Sequence, residues 1–263
     1  MTRDAAAALP QEVVRLPSGA SMPLLGFGTW DLRGAEATRA TSEALEVGYR
    51  LIDTATMYGN EREVGAAIRT SGVSRSDVVV TTKLPPDRGG SERRVLEESL
   101  DLLGLEQIDL WLIHWPPTDS VAMWREFIRA REEGLVRDIG VSNYSLAELD
   151  ELERKTGVLP AVNQINWSPL RFDATTVAGH EQRGVVLEGY SGLKGGVLKH
   201  AVVVQIAERL DRTPAQVVLR WHLQHRFVAI PKSANPERIA SNASIGDFAL
   251  TDDDMKALDA LGS

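Results

Sequence analysis

The feature of this sequence that most constrains its fold is a unit that recurs eight times between Leu24 and Ile230. Each unit is a short apolar run with a polar or glycine-bearing exit, followed by an amphipathic segment. Such alternation is typical of parallel β-strands joined by crossover helices. The eight runs are Leu24–Gly28, Arg50–Asp53, Val78–Lys83, Ile108–His114, Val136–Val141, Pro160–Gln164, Val185–Gly189 and Phe227–Ile230.

The intervening segments carry helix start and stop signals. Ser91 opens a segment with one leucine-bearing face, and Gly104 follows as a stop. Pro214 stands at the first position of a later helix, where its missing N–H is not needed. Patterns of the capping-box kind are Ser145 with Glu148, Thr213 with Gln216 and Thr251 with Asp254.

No linker rich in glycine, proline or serine, no low-complexity tract and no charge block marks a second domain. The runs Val13–Leu16 and Met22–Leu25 flank the turn residues 17–20 and predict a hairpin ahead of the repeating part. We therefore expect residues 1–263 to form one α/β domain, a (β/α)8 TIM barrel with an N-terminal β-hairpin and extra C-terminal helices.

Charge and cysteine content exclude several classes of function. The formal charge of -8 is spread along the 263 residues without a basic run, which argues against nucleic acid or a membrane as partner. Cysteine is absent, which excludes disulfides, zinc-thiolate sites and thiol nucleophiles. The segment Met1–Pro10 has too short an apolar run for a secretory signal. We expect a cytoplasmic monomer.

The strand exits carry residues suited to proton transfer. In a (β/α)8 barrel the carboxyl ends of the strands gather into one mouth, where active sites lie. Asp53, Lys83 and His114 end successive runs, and Tyr58 follows Asp53 in a turn. A tyrosine with an ordinary pKa of about 10 is a poor acid at neutral pH, so we expect Lys83 to lower the pKa of Tyr58. Moving that pKa toward the working pH requires roughly 3 to 4 kcal/mol of interaction energy, which a nearby lysine can supply. Asp53 would keep Lys83 charged and oriented.

Each of these residues taken singly has an ordinary structural explanation, as a strand-end cap, a solvated lysine or a packed histidine. Their joint occurrence at consecutive exits favours a site. Trp111, Trp124 and Trp221 lie inside predicted strands or helices and are expected in the core. Surface or packing roles are expected for the histidines without ligand spacing, which are His180, His200, His222 and His225.

Seven short motifs, in order along the chain, together resemble the aldo-keto reductase family, most closely its short bacterial members related to 2,5-diketo-gluconate reductases. The motifs are Gly26-Phe27-Gly28-Thr29-Trp30, the stretch Asp53–Glu61, Thr81-Thr82-Lys83-Leu84, Leu112-Ile113-His114-Trp115-Pro116, Gly140-Val141-Ser142-Asn143, Asn163-Gln164-Ile165 and Ile230-Pro231-Lys232-Ser233.

The resemblance implies NADPH-dependent reduction of aldehydes and ketones without a metal. Tyr58 would be the general acid, Asp53 and Lys83 its tuning pair, and His114 the group that polarises the carbonyl. A small-molecule carbonyl substrate would lie against Trp30, Tyr58, His114 and Trp115. The implied contacts to NADPH or NADP are Thr29, Asp53, Ser142, Asn143, Gln164, Tyr190, Ser191, Leu193, Lys232, Ser233, Arg238 and Asn242.

The cationic end of that set also follows from local chemistry. Asn235 and Pro236 start a helix whose amino end is flanked by Lys232 and Arg238. Free N–H groups and the helix dipole favour an anion there. NADH has a bare 2'-hydroxyl on its ribose, which would leave Lys232 and Arg238 without an anionic partner. The sequence therefore predicts NADPH, which carries a 2'-phosphate there.

Three departures from the family pattern alter these expectations. Ser241 stands where many members have Glu or Gln against adenine, and Gly192 stands where proline is common. The sequence given ends at Ser263, whereas many relatives continue with a tail over the substrate pocket. We therefore expect an open pocket walled by Trp30, Trp115 and Trp167, with a broad substrate preference.

Two other classes of protein compete with the reductase. A non-catalytic NADPH-binding module of a larger assembly is disfavoured by the intact set of Asp53, Tyr58, Lys83 and His114. A metal-dependent or phosphate-binding barrel enzyme of another kind is disfavoured because the sequence lacks a carboxylate and histidine cluster with ligand spacing. The sequence also lacks a Gly-x-Gly-x-x-Gly fingerprint, a phosphate loop, a Gly-x-Ser-x-Gly elbow and a His-Glu-x-x-His motif.

Overall fold

A computed structural model describes residues 9, 10 and 12–262 of the chain. An antiparallel pair of strands precedes a sheet of eight parallel strands in chain order. The predicted fold class, an α/β barrel with an N-terminal hairpin, is confirmed. The strands are β1 Val13–Arg15, β2 Ser21–Pro23, β3 Phe27–Gly28, β4 Leu51–Asp53, β5 Val79–Leu84, β6 Ile108–Ile113, β7 Val136–Ser142, β8 Val162–Asn166, β9 Val186–Tyr190 and β10 Val228–Ala229.

Helices follow the barrel strands, and two of them, α9 and α10 as numbered below, come after the last strand, as predicted. The crossover from β9 to β10 holds two helices instead of one. The helices are α1 Gly34–Val47, α2 Glu61–Thr70, α3 Glu92–Leu103, α4 Ser120–Glu132, α5 Leu146–Thr156, α6 Ala174–Arg183, α7 Ala201–Leu210, α8 Pro214–Gln224, α9 Pro236–Ala243 and α10 Asp252–Asp259.

Most of the predicted helix caps are present in the structure. Ser145, Thr213 and Thr251 each complete a capping box at the start of α5, α8 and α10. Gly104 ends α3 in the left-handed conformation that glycine adopts at little cost. Ser91 is the N-cap of α3, but its side chain makes no capping hydrogen bond.

The barrel closes through a short seam between its first and last strands. Leu25 and Ala229 form a single parallel bridge, and the Gly28 N–H donates to Pro231 O at 3.0 Å. A Cβ on Gly28 would lie 2.7 Å from Ile230 O, so only glycine allows the two backbones to approach this closely. The seam ends at the loop that carries Lys232, which brings both chain segments to the barrel mouth.

The tryptophans expected in the core are there. Trp111, Trp124 and Trp221 are buried, and Trp111 stacks on Phe127 with ring centroids 3.6 Å apart. The sequence predicts no secretory signal in Met1–Pro10. Residues 1–8 of that segment lie outside the described residues. Within the part of the chain that the structure covers, no helix is long and apolar enough to cross a bilayer.

Candidate active site

One cleft of about 900 Å³ lies at the carboxyl ends of the barrel strands. The tyrosine end of the cleft, as we call it, contains Trp30, Tyr58, His114 and Trp115. The cationic end is lined by Lys232, Ser233, Arg238 and Asn242. The loops that follow different strands therefore build one continuous site, as the barrel fold predicts.

A network of hydrogen bonds fixes the turn that presents Tyr58. Residues Thr56–Tyr58 form a single 3-10 turn directly after β4. The Thr56 hydroxyl donates to Lys83 O at 2.9 Å, which ties the turn to β5. The buried Asn60 side chain donates to Thr29 O and Leu32 O, each at 2.9 Å. Side-chain hydrogen bonds to backbone oxygens thus tie the segment around Tyr58 to β5 and to the loop after β3.

Under the phenol lies a buried ion pair. The Lys83 Nζ is 2.7 Å from Asp53 Oδ1, and it also donates to Thr54 O at 2.8 Å. The remaining Asp53 oxygen accepts from Gln164 Nε2 at 2.9 Å. From the same Lys83 ammonium to the Tyr58 hydroxyl the distance is 3.4 Å. The expected grouping of tyrosine, lysine and aspartate is therefore present in the structure.

The expected direction of the Tyr58 pKa shift was wrong. Burial raises the pKa of Tyr58 above 10.0, and Lys83 offsets only part of that rise. Burial by itself lowers the pKa of Lys83, but Asp53 and Tyr58 outweigh it, so Lys83 is firmly charged. The phenol in this cleft is protonated at neutral pH, which is the state that a proton donor requires.

His114 faces the same end of the cleft as a neutral imidazole. Burial, with a contribution from Lys83, lowers its pKa to about 3. Its ring stacks on Trp115 with centroids 4.5 Å apart and lies edge-on to Tyr58 at 5.8 Å. A neutral ring carries one N–H, so His114 can donate a single hydrogen bond to a ligand oxygen.

The middle of the cleft is built from the exits of β7, β8 and β9. Tyr190 donates from its hydroxyl to Asn143 Oδ1 at 2.7 Å. The Asn143 amide donates to His114 O and to Ser142 Oγ, and the Ser142 hydroxyl donates to Gln164 O. Asn143 has a φ of 65°, a left-handed conformation that asparagine tolerates better than most residues. An aromatic ring and several amide groups therefore converge here.

At the cationic end, α9 begins as predicted. The Asn235 side chain accepts from the Arg238 N–H at 3.0 Å and caps the helix. Lys232 and Arg238 are exposed, and neither forms an ion pair with any acid among the described residues. Ser233 and Asn242 are buried beside them. The two cations and the Ser233 hydroxyl around the start of α9 form a donor set that suits a phosphate ester, and the Asn242 amide lies in the last turn of the same helix.

Almost every residue predicted to contact a ligand lies on this cleft. Thr29 is an exception, because its buried hydroxyl donates to Asp53 O at 2.9 Å instead of facing the cavity. The expectation that Trp167 walls the substrate pocket was wrong, since its ring is buried against Phe172 and Phe227. The expected residues that line the cleft are Trp30, Asp53, Tyr58, His114, Trp115, Ser142, Asn143, Gln164, Tyr190, Ser191, Leu193, Lys232, Ser233, Arg238 and Asn242.

Several residues of the cleft were missed from the sequence. Met57 is exposed beside Tyr58, and its place next to the predicted acid was a usable signal. Lys194 reaches across the mouth, with its Nζ 4.0 Å from the centre of the Trp30 ring. His222 on α8 also reaches the cleft, although it is buried and its pKa is lowered to about 4 by burial. Nothing in the spacing of Lys194 or His222 indicated this placement.

Comparison with known proteins agrees with this architecture. The family described as the aldo/keto reductase family matches residues 24–263. An aldo-keto reductase of Mycobacterium sp. (strain MCS) is 44% identical over 266 residues, with 99% of this chain and 93% of the relative covered. A methylglyoxal reductase of Yersinia pestis is 39% identical over 257 residues, with coverage of 95% and 93%.

Structural similarity leads to the same family. The crystal structure of an aldo/keto reductase from Brucella melitensis superposes with a TM-score of 0.92 at 40% sequence identity, covering 97% of this chain and 100% of that one. The chain therefore belongs to the aldo/keto reductase family, a family of oxidoreductases. Enzymes of this family act on small carbonyl compounds.

Proposed function

We propose that this protein is an NADP-dependent aldo-keto reductase that converts aldehydes and ketones to alcohols. The observation that carries the proposal is the Tyr58 hydroxyl, which lines the cleft 3.4 Å from an ammonium that Asp53 holds at 2.7 Å. A phenol supported in this way is suited to give a proton to a ligand oxygen.

The donor set of the cleft fits NADPH. Lys232, Ser233 and Arg238 would hold the 2'-phosphate, and Asn242 the adenine. Ser142, Asn143 and Gln164 would bind the carboxamide, and Tyr190 would stack on the nicotinamide. Ser191 and Leu193 would cover the pyrophosphate. When bound, NADPH supplies the hydride that reduces the carbonyl carbon.

The residues at the tyrosine end divide the work on the carbonyl oxygen. Tyr58 donates its phenolic proton to that oxygen, and Lys83 stabilises the resulting tyrosinate through the short ammonium contact. Asp53 keeps Lys83 in place. His114, neutral at working pH, donates its single N–H to the same oxygen and so polarises the carbonyl.

The walls around this point suggest a broad substrate class. Trp30, Met57 and Trp115 are the large apolar side chains left exposed at the mouth. They offer flat apolar contact, and the one charged side chain against them, Lys194, lies over the Trp30 ring. Reduction of small aldehydes and ketones, without a requirement for one carbonyl skeleton, is what this surface supports. The cytoplasmic location, the monomeric state and the single domain remain predictions.

Steady-state oxidation of NADPH and NADH, followed by absorbance across a panel of aromatic, aliphatic and sugar-derived carbonyls, tests the proposal. Turnover that favours NADPH supports both the reductase chemistry and the role of Lys232 and Arg238. Tight NADPH binding without turnover of any carbonyl would contradict the proposal and support a non-catalytic binding module. Activity lost on adding a chelator would indicate a metal-dependent enzyme instead.

A further inference from the structure

A second buried carboxyl group lies below the cleft. Glu188 is in β9, two residues before Tyr190, and is 0% exposed. Neither of its side-chain oxygens has a hydrogen-bond partner among the described residues. Buried polar groups are nearly always paired, and an unpaired carboxyl group in a barrel interior therefore needs an explanation.

The strand register places Glu188 beside the ion pair. Glu188 pairs with Gln164 on β8 and with Val228 on β10. Side chains of paired residues in parallel strands point to the same face, and the Gln164 amide reaches inward to Asp53. The neighbouring Gly189 faces outward, since a Cβ there would meet His222 on α8. Glu188 therefore points into the barrel, towards the group formed by Asp53, Lys83 and Tyr58.

The surroundings of Glu188 disfavour its negative charge. The titratable groups that face it are Asp53 from β4, Lys83 from β5 and Tyr58 from the turn, whereas Gln164 and Val228 are uncharged. The one cation, Lys83, is already paired with Asp53. Burial, followed by repulsion from Asp53, raises the pKa of Glu188 to about 8. Lys83 and the neighbouring Gln164 amide favour the charged form, but they offset only part of this rise, so the carboxyl group keeps its proton.

We propose that Glu188 is a positioning residue that stays protonated at neutral pH and that its ionisation weakens proton donation by Tyr58. The proposal rests on the proposed function, because it assigns a control to the same reaction. An anion at Glu188 raises the pKa of Tyr58, which makes the tyrosinate formed during reduction less stable. Above the pH at which Glu188 loses its proton to solvent, reduction slows.

The pH dependence of the reduction rate tests whether ionisation of Glu188 slows proton donation by Tyr58. In the wild type, kcat for reduction at saturating NADPH should fall by about tenfold when Glu188 ionises, because the added negative charge opposes formation of the tyrosinate. In E188Q the side chain stays neutral with nearly the same shape, so this fall should be absent. The control is E46Q, on the exposed face of α1. Superimposable pH profiles of E188Q and wild type would overturn the proposal.

Two readouts separate this proposal from the reductase assignment. Infrared difference spectra of wild type minus E188Q should show the carbonyl stretch of a protonated carboxyl group at neutral pH. The tyrosinate absorbance of Tyr58, isolated by subtracting Y58F, should titrate at lower pH in E188Q than in wild type. No protonated-carboxyl band, or an unchanged Tyr58 titration, would overturn the role of Glu188 even in an active reductase. Both signals in a protein that reduces no carbonyl would leave the tuning of Tyr58 supported while the reductase assignment failed.

Discussion

The hydroxyl of Tyr190 donates to Asn143 Oδ1 at 2.7 Å and joins the exits of β9 and β7 across the cleft. This bond occupies the oxygen of the amide group proposed to hold the nicotinamide carboxamide. The Asn143 Nδ2 is also engaged, with His114 O and Ser142 Oγ. A ligand atom that accepts from Asn143 Nδ2 must therefore displace one of these bonds, whereas Oδ1 can still accept from a second donor.

The first prediction separates the ring of Tyr190 from its hydroxyl. Y190F keeps the stacking surface and frees Asn143, so NADPH should bind as tightly as to wild type or up to about threefold more tightly. Y190A loses the stacking surface and should bind at least about tenfold more weakly. Fluorescence titration with NADPH measures both. Equal weakening in the two variants would show that the hydroxyl itself contacts the cofactor.

The second prediction concerns the proton donor. Y58F should lower kcat for carbonyl reduction by at least about a hundredfold, because the Tyr58 hydroxyl is the protonated group beside Lys83 that lines the cleft. Its NADPH dissociation constant should change little, since the proposed nicotinamide contacts are Ser142, Asn143, Gln164 and Tyr190. Single-turnover kinetics and equilibrium binding provide the two measurements. A variant that kept most of its rate would assign the proton to another group.

The third prediction uses the buried pair of Lys83 and Asp53. K83M leaves a buried carboxylate without its cation, and unfolding should cost about 3 to 5 kcal/mol less than in wild type. The double variant D53N/K83M removes both buried charges, so no unpaired carboxylate remains at position 53. It should recover most of that stability but no activity. Urea unfolding compares the variants at one pH. Equal stability of the single and double variants would argue against a stranded charge as the cause.

The fourth prediction concerns cofactor choice at the cationic end. K232M and R238M should each weaken NADPH binding by about tenfold to a hundredfold, the usual effect of losing a hydrogen bond to a charged group. NADH binding should change little, because NADH has no phosphate at that position. K155M, on the exposed surface of α5, is the matched control. Equal losses for NADPH and NADH would place the 2'-phosphate elsewhere.

The fifth prediction follows from the raised pKa of Glu188. The folded protein holds this proton up to a pH of about 8, whereas an ordinary glutamate releases it at 4.5. The stabilisation is fully present below 4.5 and is lost as the pH rises through about 8. The unfolding free energy of wild type relative to E188Q should therefore fall across this range, by about 5 kcal/mol. Denaturant unfolding at a series of pH values measures the difference. A constant difference would mean that Glu188 is ionised in the folded state.

Much of the fold could be predicted because its signals are local. The capping pairs at Ser145, Thr213 and Thr251 depend on a few adjacent residues, and each forms in the structure. The cleft could be predicted because polar residues at strand exits must meet at one barrel mouth. Asp53 and Lys83 were expected together for that reason, and they form an ion pair.

The errors concern properties that depend on the whole surroundings. The Tyr58 pKa depends on how much protein surrounds the phenol, which spacing alone does not reveal. Trp167 follows a strand as Trp115 does, but its ring packs on Phe227 instead of facing the mouth. Glu188 was overlooked because one acid inside the run Val185–Gly189 changes neither its length nor its apolar pattern.

The seam between Leu25 and Ala229 also constrains how the protein folds. Its two sides come from opposite ends of the chain, so the barrel closes only after nearly every helix has been synthesised. Contacts of such wide sequence separation form slowly, because the intervening loop must lose entropy first. The cationic end of the cleft, which begins at Lys232 just past the seam, is therefore expected to be completed late in folding. A chain emerging from the ribosome would acquire Asp53 and Lys83 long before it could bind a dinucleotide.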